Sequence, residues 1–295
     1  MNKSFSKHMI SSESLDSVYN YFSNHPRRVA CEDPNYVEIK KLPNLVNLKN
    51  WESFNDTVNI VFGDSHAEFL GRLFKEVTNS LDKDKAINRT YCFWTGATTL
   101  VGSLQSTGYF NNILRSLVII LEGLNKKFQF KKLNLVISLG EIDIRTKLFL
   151  ESFSSKVTIE TIISKYCDEK LVNKLKILRD SIENLYHPLE TNVFFKSPPP
   201  PSEVLPAMNP KSKEELKKML EKEAYPAFLT IEERKKNHAF LLKSINRACL
   251  VSGVRFLKNP YSHFNSLDPK MSLDGVHVSM GDWAIQNSRQ IFLEI

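Results

Sequence analysis

The pattern of apolar and polar positions divides the chain into short apolar runs and longer amphipathic stretches. An apolar run of about four to eight residues that ends at glycine or a polar residue predicts a buried strand. VNIVF followed by glycine is one such run, and LNLVISL followed by glycine is another. The predicted strands lie at 58–62, 89–95, 133–139, 192–195 and 254–259.

Apolar residues that recur every three or four positions predict helices between these strands and after the last of them. After the first strand, apolar residues from Ala67 to Val77 share one helical face. The cap signals are strongest where Thr230 precedes and Gly253 follows a long amphipathic stretch. Predicted helices cover 67–77, 111–127, 157–187 with a break and an end before Pro188, 231–253 and 279–295.

Strands that alternate with helices predict an α/β fold whose sheet is mostly parallel and covered by helices on both faces. We therefore expect a five-stranded sheet in a domain that spans 57–295. Residues 1–56 carry no regular pattern and are expected to form an N-terminal extension. An insertion at about 197–229 begins with four prolines and continues with a lysine- and glutamate-rich helix. We expect it to fold over the carboxyl edge of the sheet, as a solvated cover or as a substrate lid.

Charge and cysteine usage narrow the class of protein. The formal net charge of +7 favours an anionic ligand or surface, or serves general solvation. The lysines are spread along the chain and no arginine-rich block occurs, so we expect no nucleic-acid partner. The four cysteines are far apart and form no zinc motif, which favours reduced thiols. The N-terminus lacks the apolar segment of a signal peptide, and no apolar stretch is long enough for a membrane span. We expect a cytoplasmic protein.

Three polar clusters follow predicted strands, at the edge where open parallel sheets bind ligands. The first is GDSH at 63–66, the second is GEIDIR at 140–145, and the third is DGVH at 274–277. Small polar residues are common at any turn between a strand and a helix, so a single cluster is weak evidence. Three clusters at one edge predict a site.

The residue types in these clusters suit nucleophilic acyl transfer. Ser65 lies where a strand ends and a helix begins, and the N-terminus of a helix stabilises developing negative charge. A serine needs a base to remove its proton, and His277 is the candidate. Asp274, three residues earlier, is the candidate for orienting the imidazole. The alternative is that Ser65 only caps the helix that follows it.

With these residues the sequence resembles the SGNH/GDSL hydrolase family. Gly63-Asp64-Ser65 resembles the first block of that family, Gly96 the glycine of the second, and Asp274-x-x-His277 the last. The resemblance implies a flavodoxin-like three-layer α/β/α sandwich and a Ser65-His277-Asp274 triad that acts on acyl esters. It also implies an oxyanion hole formed by the backbone N–H groups of Ser65 and Gly96, with Gly108 as a weaker candidate for the second donor.

The third block departs from the family pattern. The family has an asparagine that donates to the oxyanion, whereas this chain has Ile142, which cannot donate. Either two backbone donors suffice or another group replaces the amide, and Arg145 is the neighbour best suited to do so. We place Arg145, Asp143, Glu141 and His66 as candidate substrate-binding residues, with a salt bridge as the alternative for Arg145 and a structural role as the alternative for Asp143. The GEID-x-R form is similar to members associated with bacterial surface-polysaccharide modification, which suggests an O-acylated sugar.

Four functions are compatible with this pattern. The first is a serine esterase or O-deacetylase that acts on a carbohydrate ester and uses neither a metal nor a cofactor. The second is an O-acetyltransferase with the same triad, with acetyl-CoA as acyl donor. The third is a metallophosphoesterase, since Asp64-x-His66 has the spacing of metal ligands, although no GNH motif occurs. The fourth is an inactive binding module, for which the replacement at Ile142 is the reason.

Overall fold

A five-stranded parallel sheet forms the centre of the fold. The structure is a computed structural model that describes residues 57–64, 66, 89–95, 98–125, 129–208, 212, 215, 227–259, 261–269 and 271–272. All five predicted strands are confirmed, with bounds that differ by at most two residues. They are β1 (Thr57–Gly63), β2 (Arg89–Trp94), β3 (Lys132–Ser138), β4 (Glu190–Lys196) and β5 (Arg255–Leu257).

The strand order identifies the topology as flavodoxin-like. The strands are arranged β2-β1-β3-β4-β5, and each neighbouring pair is parallel. This is the order of one common doubly wound α/β sheet. The direction of winding reverses between β1 and β3, and in such sheets a crevice forms there, outside the carboxyl ends of the two strands. The predicted α/β class with a parallel sheet is therefore confirmed.

Three of the predicted helical regions lie in the described residues and are confirmed, and the structure adds two short helices, at Leu100–Gln105 and Leu148–Ser155, that were not predicted. The described helices are α1 (Leu100–Gln105), α2 (Tyr109–Asn125), α3 (Leu148–Ser155), α4 (Ile159–Lys165), α5 (Val172–Leu185) and α6 (Ile231–Ser252), with π-helical segments at Asp143–Lys147 and Tyr166–Leu171. The helical region predicted at 157–187 is confirmed as α4, the second π-helical segment and α5, which follow one another without a gap. The predicted break is therefore wrong: the helix changes to π-helical hydrogen bonding at Tyr166–Leu171 and continues.

Helix α6 begins and ends where its sequence predicts. Thr230 accepts the backbone N–H of Glu233, and Glu233 accepts the backbone N–H of Thr230 in return, which completes a capping box. Gly253 follows the helix in the left-handed region, with φ of 71°. Both predicted caps of this helix are confirmed.

The hydrophobic core lies between one face of the sheet and the helices that pack on it, which include α2, α5 and α6. Alternate residues of each strand point to this face, as the two-residue period of a strand requires. On the opposite face Val61, Val136 and Phe194 are buried as well, as expected for a sheet covered on both sides. The core includes Val58, Ile60 and Phe62 of β1, Leu133, Leu135 and Ile137 of β3, Leu117 of α2, Leu178 of α5 and Ile245 of α6.

A row of asparagines crosses the opposite face of the sheet. Asn59, Asn134 and Asn192 are in register on β1, β3 and β4. The Asn134 amide donates to Asn59 Oδ1 at 2.8 Å, and the Asn192 amide donates to Asn134 Oδ1 at 3.2 Å. A shift of register by one residue would break this row, in which Asn59 and Asn134 are buried, so these bonds help to fix the alignment of the three strands.

The two ends of the predicted insertion are joined in the structure. Ala207 and Ala227 form a parallel β-bridge. Arg234 of α6 is buried and donates to the backbone carbonyls of Ser202, at 3.0 Å, and Leu205, at 2.8 Å. The chain between the two ends lies mostly outside the described residues, so its position over the sheet edge stays a prediction.

Other predictions also fall on parts of the chain that the structure does not describe. These are the extension at 1–56 and the helices at 67–77 and 279–295. Among the described helices, none is both long enough and apolar enough to cross a membrane.

Candidate functional site

The crevice at the carboxyl ends of β1 and β3 is the candidate site. Gly63 ends β1 and is in register with Ser138, which ends β3. A Cβ atom on Gly63 would lie 2.1 Å from the Ser138 carbonyl oxygen, so only glycine fits there. The first two predicted clusters, GDSH and GEIDIR, therefore begin side by side.

The end of β2 is bonded to the end of β1. The Thr95 backbone N–H donates to the Gly63 carbonyl at 2.7 Å, and the Thr95 hydroxyl donates to the same carbonyl at 2.9 Å. That hydroxyl also lies 3.1 Å from the Tyr109 hydroxyl. Burial, despite the hydrogen bond to Thr95, raises the pKa of Tyr109 strongly, so the phenol stays protonated. The residues that precede Ser65 and Gly96 are thus held against each other.

Asp64 braces the turn that follows β1. Its backbone N–H donates to the Ser138 carbonyl at 3.2 Å, and its Oδ1 accepts the backbone N–H of His66 at 2.9 Å. This bond to the second residue along is the geometry of an Asx turn or helix cap. Burial raises the pKa of Asp64 to about 7; the bond from His66 opposes this rise. The other carboxylate oxygen, Oδ2, is buried and accepts no hydrogen bond from the described residues.

The side chain of Asp143 accepts backbone hydrogen bonds from the first turn of α1. Its two carboxylate oxygens accept the backbone N–H groups of Leu100, at 2.5 Å, and Val101, at 2.9 Å. Asp143 is fully buried, and burial raises its pKa to about 6 against the opposing effect of the two backbone bonds. These bonds fix the start of α1, and so the segment that leaves β2, to the end of β3.

Glu141 and Arg145 form a two-bond ion pair at the start of the π-helical segment. Arg145 Nε donates to Glu141 Oε1 at 2.6 Å, and Arg145 Nη2 donates to Glu141 Oε2 at 2.9 Å. The two side chains are only 7% and 12% exposed. His66 Nε2 lies 3.9 Å from Glu141 Oε2. Three of the predicted substrate-binding residues therefore meet in the crevice, and the salt bridge is the role that the structure shows for Arg145.

Lys196 is a component of the crevice that its sequence context did not single out. It ends β4 in register with Ser138 and is completely buried. Its ammonium group donates to the Ser138 hydroxyl at 3.4 Å. A lysine that follows the apolar run VFF resembles the solvated end of a strand, and only the strand order shows that this end lies beside the crevice.

The structure leaves the proposed triad undescribed. Ser65, Gly96, Asp274 and His277 lie outside the described residues, although Asp64, His66 and Thr95 beside them are described. The weaker oxyanion candidate, Gly108, lies just before α2, where its carbonyl accepts the backbone N–H of Asn112.

The chain that leads to DGVH runs along the carboxyl side of β4 and β5. Leu267 forms a parallel bridge with Ser202, which lies six positions after the end of β4. The Leu267 N–H donates to the Pro201 carbonyl at 3.0 Å. Ser272, two positions before Asp274, is fully buried. The third cluster therefore follows a segment that is attached to the same sheet edge as the first two.

Comparison with known proteins returns only distant structural similarity. No family model matches the chain, and no curated protein does. An acetylxylan esterase from Geobacillus stearothermophilus, solved as a catalytic mutant, is 11% identical with a TM-score of 0.42, over 82% of this chain and 95% of that one. A putative SGNH hydrolase from Slackia heliotrinireducens is 12% identical with a TM-score of 0.41, over 81% and 98%. A lipase from a goat rumen metagenome is 11% identical with a TM-score of 0.42, over 80% and 97%. Similarity of this size assigns neither a family nor an activity to the chain.

Proposed function

We propose that the protein is a serine-dependent acyl-ester hydrolase that removes an acyl group from a carbohydrate ester. Ser65 is the nucleophile, His277 the general base and Asp274 the residue that orients the imidazole. The observation that carries this proposal is the pair of bonds between Thr95 and the Gly63 carbonyl. These bonds hold together the two chain segments that continue into Ser65 and Gly96, whose N–H groups the proposed oxyanion hole needs.

The proposed reaction has two steps. In the first, the Ser65 oxygen attacks the ester carbonyl while His277 takes the hydroxyl proton, and the charge on the carbonyl oxygen is stabilised by the N–H groups of Ser65 and Gly96. The C–O bond to the sugar then breaks, and the protonated imidazole returns the proton to the departing alcohol. In the second step, water attacks the acyl-enzyme, His277 takes a proton from it, and the acid is released as Ser65 recovers its hydrogen.

The cap at the turn after β1 supports a chemical role for Ser65. A serine at such a turn is usually explained as a helix cap. Here the Asp64 side chain accepts the N–H of His66, so a capping bond is already supplied by another residue. This weakens the interpretation of Ser65 as only a cap.

The ion pair between Glu141 and Arg145 favours an oxyanion hole with two backbone donors. Ile142, at the position of the missing amide, is buried and apolar. Arg145 is the neighbour that could replace that amide, but it directs two of its N–H groups to Glu141. Loss of one oxyanion donor typically costs about 3–4 kcal/mol of transition-state stabilisation. We therefore expect slow turnover of simple esters.

An O-acetyltransferase with the same triad is the second candidate. The net charge of +7 favours it, since the acyl donor acetyl-CoA carries phosphates. In this case a sugar hydroxyl replaces water in the second step. The carbohydrate and the acyl group are assigned from the sequence resemblance alone.

The test is an assay with p-nitrophenyl acetate and with an O-acetylated sugar, each with and without acetyl-CoA. Ser65→Ala and His277→Ala should each reduce turnover by at least about a thousandfold, because the members of a triad act as a unit. Ser154→Ala, which changes an exposed serine of α3, is the matched control and should keep full activity. Turnover that survives Ser65→Ala refutes the proposal. Loss of turnover in EDTA, with recovery on adding a divalent metal, favours the metallophosphoesterase instead.

A further inference from the structure

Arg234 of α6 is a buried arginine whose guanidinium donates to three backbone carbonyls. The residue is only 2% exposed. Its Nε donates to Leu229 at 3.2 Å, its Nη1 to Ser202 at 3.0 Å and its Nη2 to Leu205 at 2.8 Å. A guanidinium is planar and rigid, so these bonds hold the three carbonyls in one arrangement. Because the donor is charged, each bond is stronger than one between neutral groups.

The three carbonyls belong to both ends of the predicted insertion. Two of them precede its undescribed chain and the third follows it. The same two ends are joined by a second bond, since the Met208 N–H donates to the Ala227 carbonyl at 2.6 Å. We call residues 201–208 together with 227–229 the insertion base. Arg234 therefore binds the insertion base from below, through the path of its backbone.

One side of the insertion base contacts the crevice. The Phe228 N–H donates to the Arg145 carbonyl at 3.3 Å. The Phe228 side chain is completely buried and stacks on Phe149 of α3, with ring centroids 5.1 Å apart and planes at 17°. The insertion base is thus attached to the segment that carries the Glu141 and Arg145 pair.

The other side contacts the chain that leads to DGVH. The Glu203 N–H donates to the Leu267 carbonyl at 2.9 Å, in addition to the bridge between Ser202 and Leu267. The Ser266 hydroxyl donates to the Glu203 carboxylate. Leu267 is buried, and the chain continues from it through buried Ser272 towards the third cluster. The insertion base therefore lies between the GEIDIR segment and the chain that precedes DGVH.

We propose that Arg234 is a positioning residue: by fixing the insertion base, it sets the distance between the crevice and the chain that carries Asp274 and His277. The sheet joins GDSH to GEIDIR directly, through the register of β1 and β3. In the described part of the chain, the GEIDIR segment is joined to the approach to DGVH through the insertion base. The effect on turnover rests on the proposed function, whereas the connection through Arg234 does not.

The first test is steady-state hydrolysis of p-nitrophenyl acetate, under conditions where urea curves show each variant to be folded. In Arg234→Met, kcat should fall by about ten- to a hundredfold, because a displacement of about 1 Å in a distant support can cost that much. Arg234→Lys should show a smaller fall, because an ammonium group lacks the fixed fork that holds three carbonyls. KM should stay within about twofold, as expected when ground-state binding is kept.

Arg247→Met is the matched control for this test. It removes another arginine of α6, whose side chain is 57% exposed and pairs with Asp168, and it should change neither kcat nor KM. If Arg234→Met fails to fold, Arg234→Lys decides the result. An unchanged kcat in folded Arg234→Lys shows that Arg234 only stabilises the fold, and overturns the proposal.

The second test is amide hydrogen exchange, followed by mass spectrometry on the full chain, and it needs no activity. In Arg234→Lys the N–H groups of Glu203, Met208 and Leu267 should exchange faster, whereas those of β1 and β3 should keep their rates. Unchanged exchange at the insertion base, or an equal rise along the whole chain, refutes the positioning role even where Ser65 is the nucleophile. Turnover that survives Ser65→Ala removes the proposed function and leaves the exchange result unchanged.

Discussion

Removal of Arg145 should destabilise the protein far more than removal of Lys147, a half-buried lysine two residues further along the chain. In Arg145→Met, the Glu141 carboxylate loses both of its bonds to the guanidinium, at 2.6 and 2.9 Å. It would then remain in a crevice where its side chain is only 12% exposed and where Asp64 and Asp143 already repel negative charge. Breaking a buried pair in this way costs about 3–5 kcal/mol.

Lys147→Met is the matched control for this prediction. Lys147 and Glu151 have the same four-residue spacing, but their charged atoms are 3.4 Å apart and their side chains are 29% and 24% exposed. Such a pair contributes less than about 1 kcal/mol. Adding Glu141→Gln to Arg145→Met should recover part of the loss, because the uncompensated charge is then gone. Urea unfolding at pH 7 gives the free energy of unfolding of the unsubstituted protein, the two single variants and the double variant. Similar midpoints for Arg145→Met and Lys147→Met refute the reasoning.

Three further predictions concern the same crevice. Gly63→Ala should lower the free energy of unfolding in urea by at least about 1–3 kcal/mol, because its Cβ would lie 2.1 Å from the Ser138 carbonyl oxygen. Gly108→Ala, where there is room for a Cβ, should change it little, and equal losses in the two variants contradict this. Asp143→Asn should cost about 1–3 kcal/mol, because an amide nitrogen cannot accept one of the two backbone bonds at the start of α1, and an unchanged midpoint contradicts it. Burial raises the pKa of Asp64 to about 7 and of Asp143 to about 6, so their contribution to stability is full below about pH 4 and is lost as the pH rises through 6 to 7. Asp64→Asn should make the fall in unfolding free energy between pH 4 and 8 shallower, and an unchanged slope contradicts this.

The sheet was predictable because its strands are buried on both faces. Such strands are nearly continuous apolar runs, and VNIVF and LNLVISL are both of this kind. The caps of α6 were predictable for a local reason, since Thr230 and Gly253 act on backbone groups within a few residues. The crevice itself was predicted because parallel strands bring their carboxyl ends to one edge.

The roles of the crevice residues were harder to predict because they depend on contacts between distant parts of the chain. Asp143 binds backbone groups more than forty positions earlier, and nothing beside it in the sequence indicates that. Lys196 is buried because β4 lies next to β3, which is a property of the strand order. The Glu141 and Arg145 pair did carry a local signal, since residues four apart on a helix are neighbours.

The most direct test of the central claim is to label the protein with a serine-directed fluorophosphonate and to locate the modified residue by peptide mass spectrometry. The proposed nucleophile predicts one phosphonyl group on Ser65 in the native protein, with much slower labelling in His277→Ala and none at this position after unfolding in urea. Turnover of p-nitrophenyl acetate should fall in proportion to the labelled fraction. An unlabelled Ser65 in protein that still hydrolyses the ester, or full activity after complete labelling, would contradict the account.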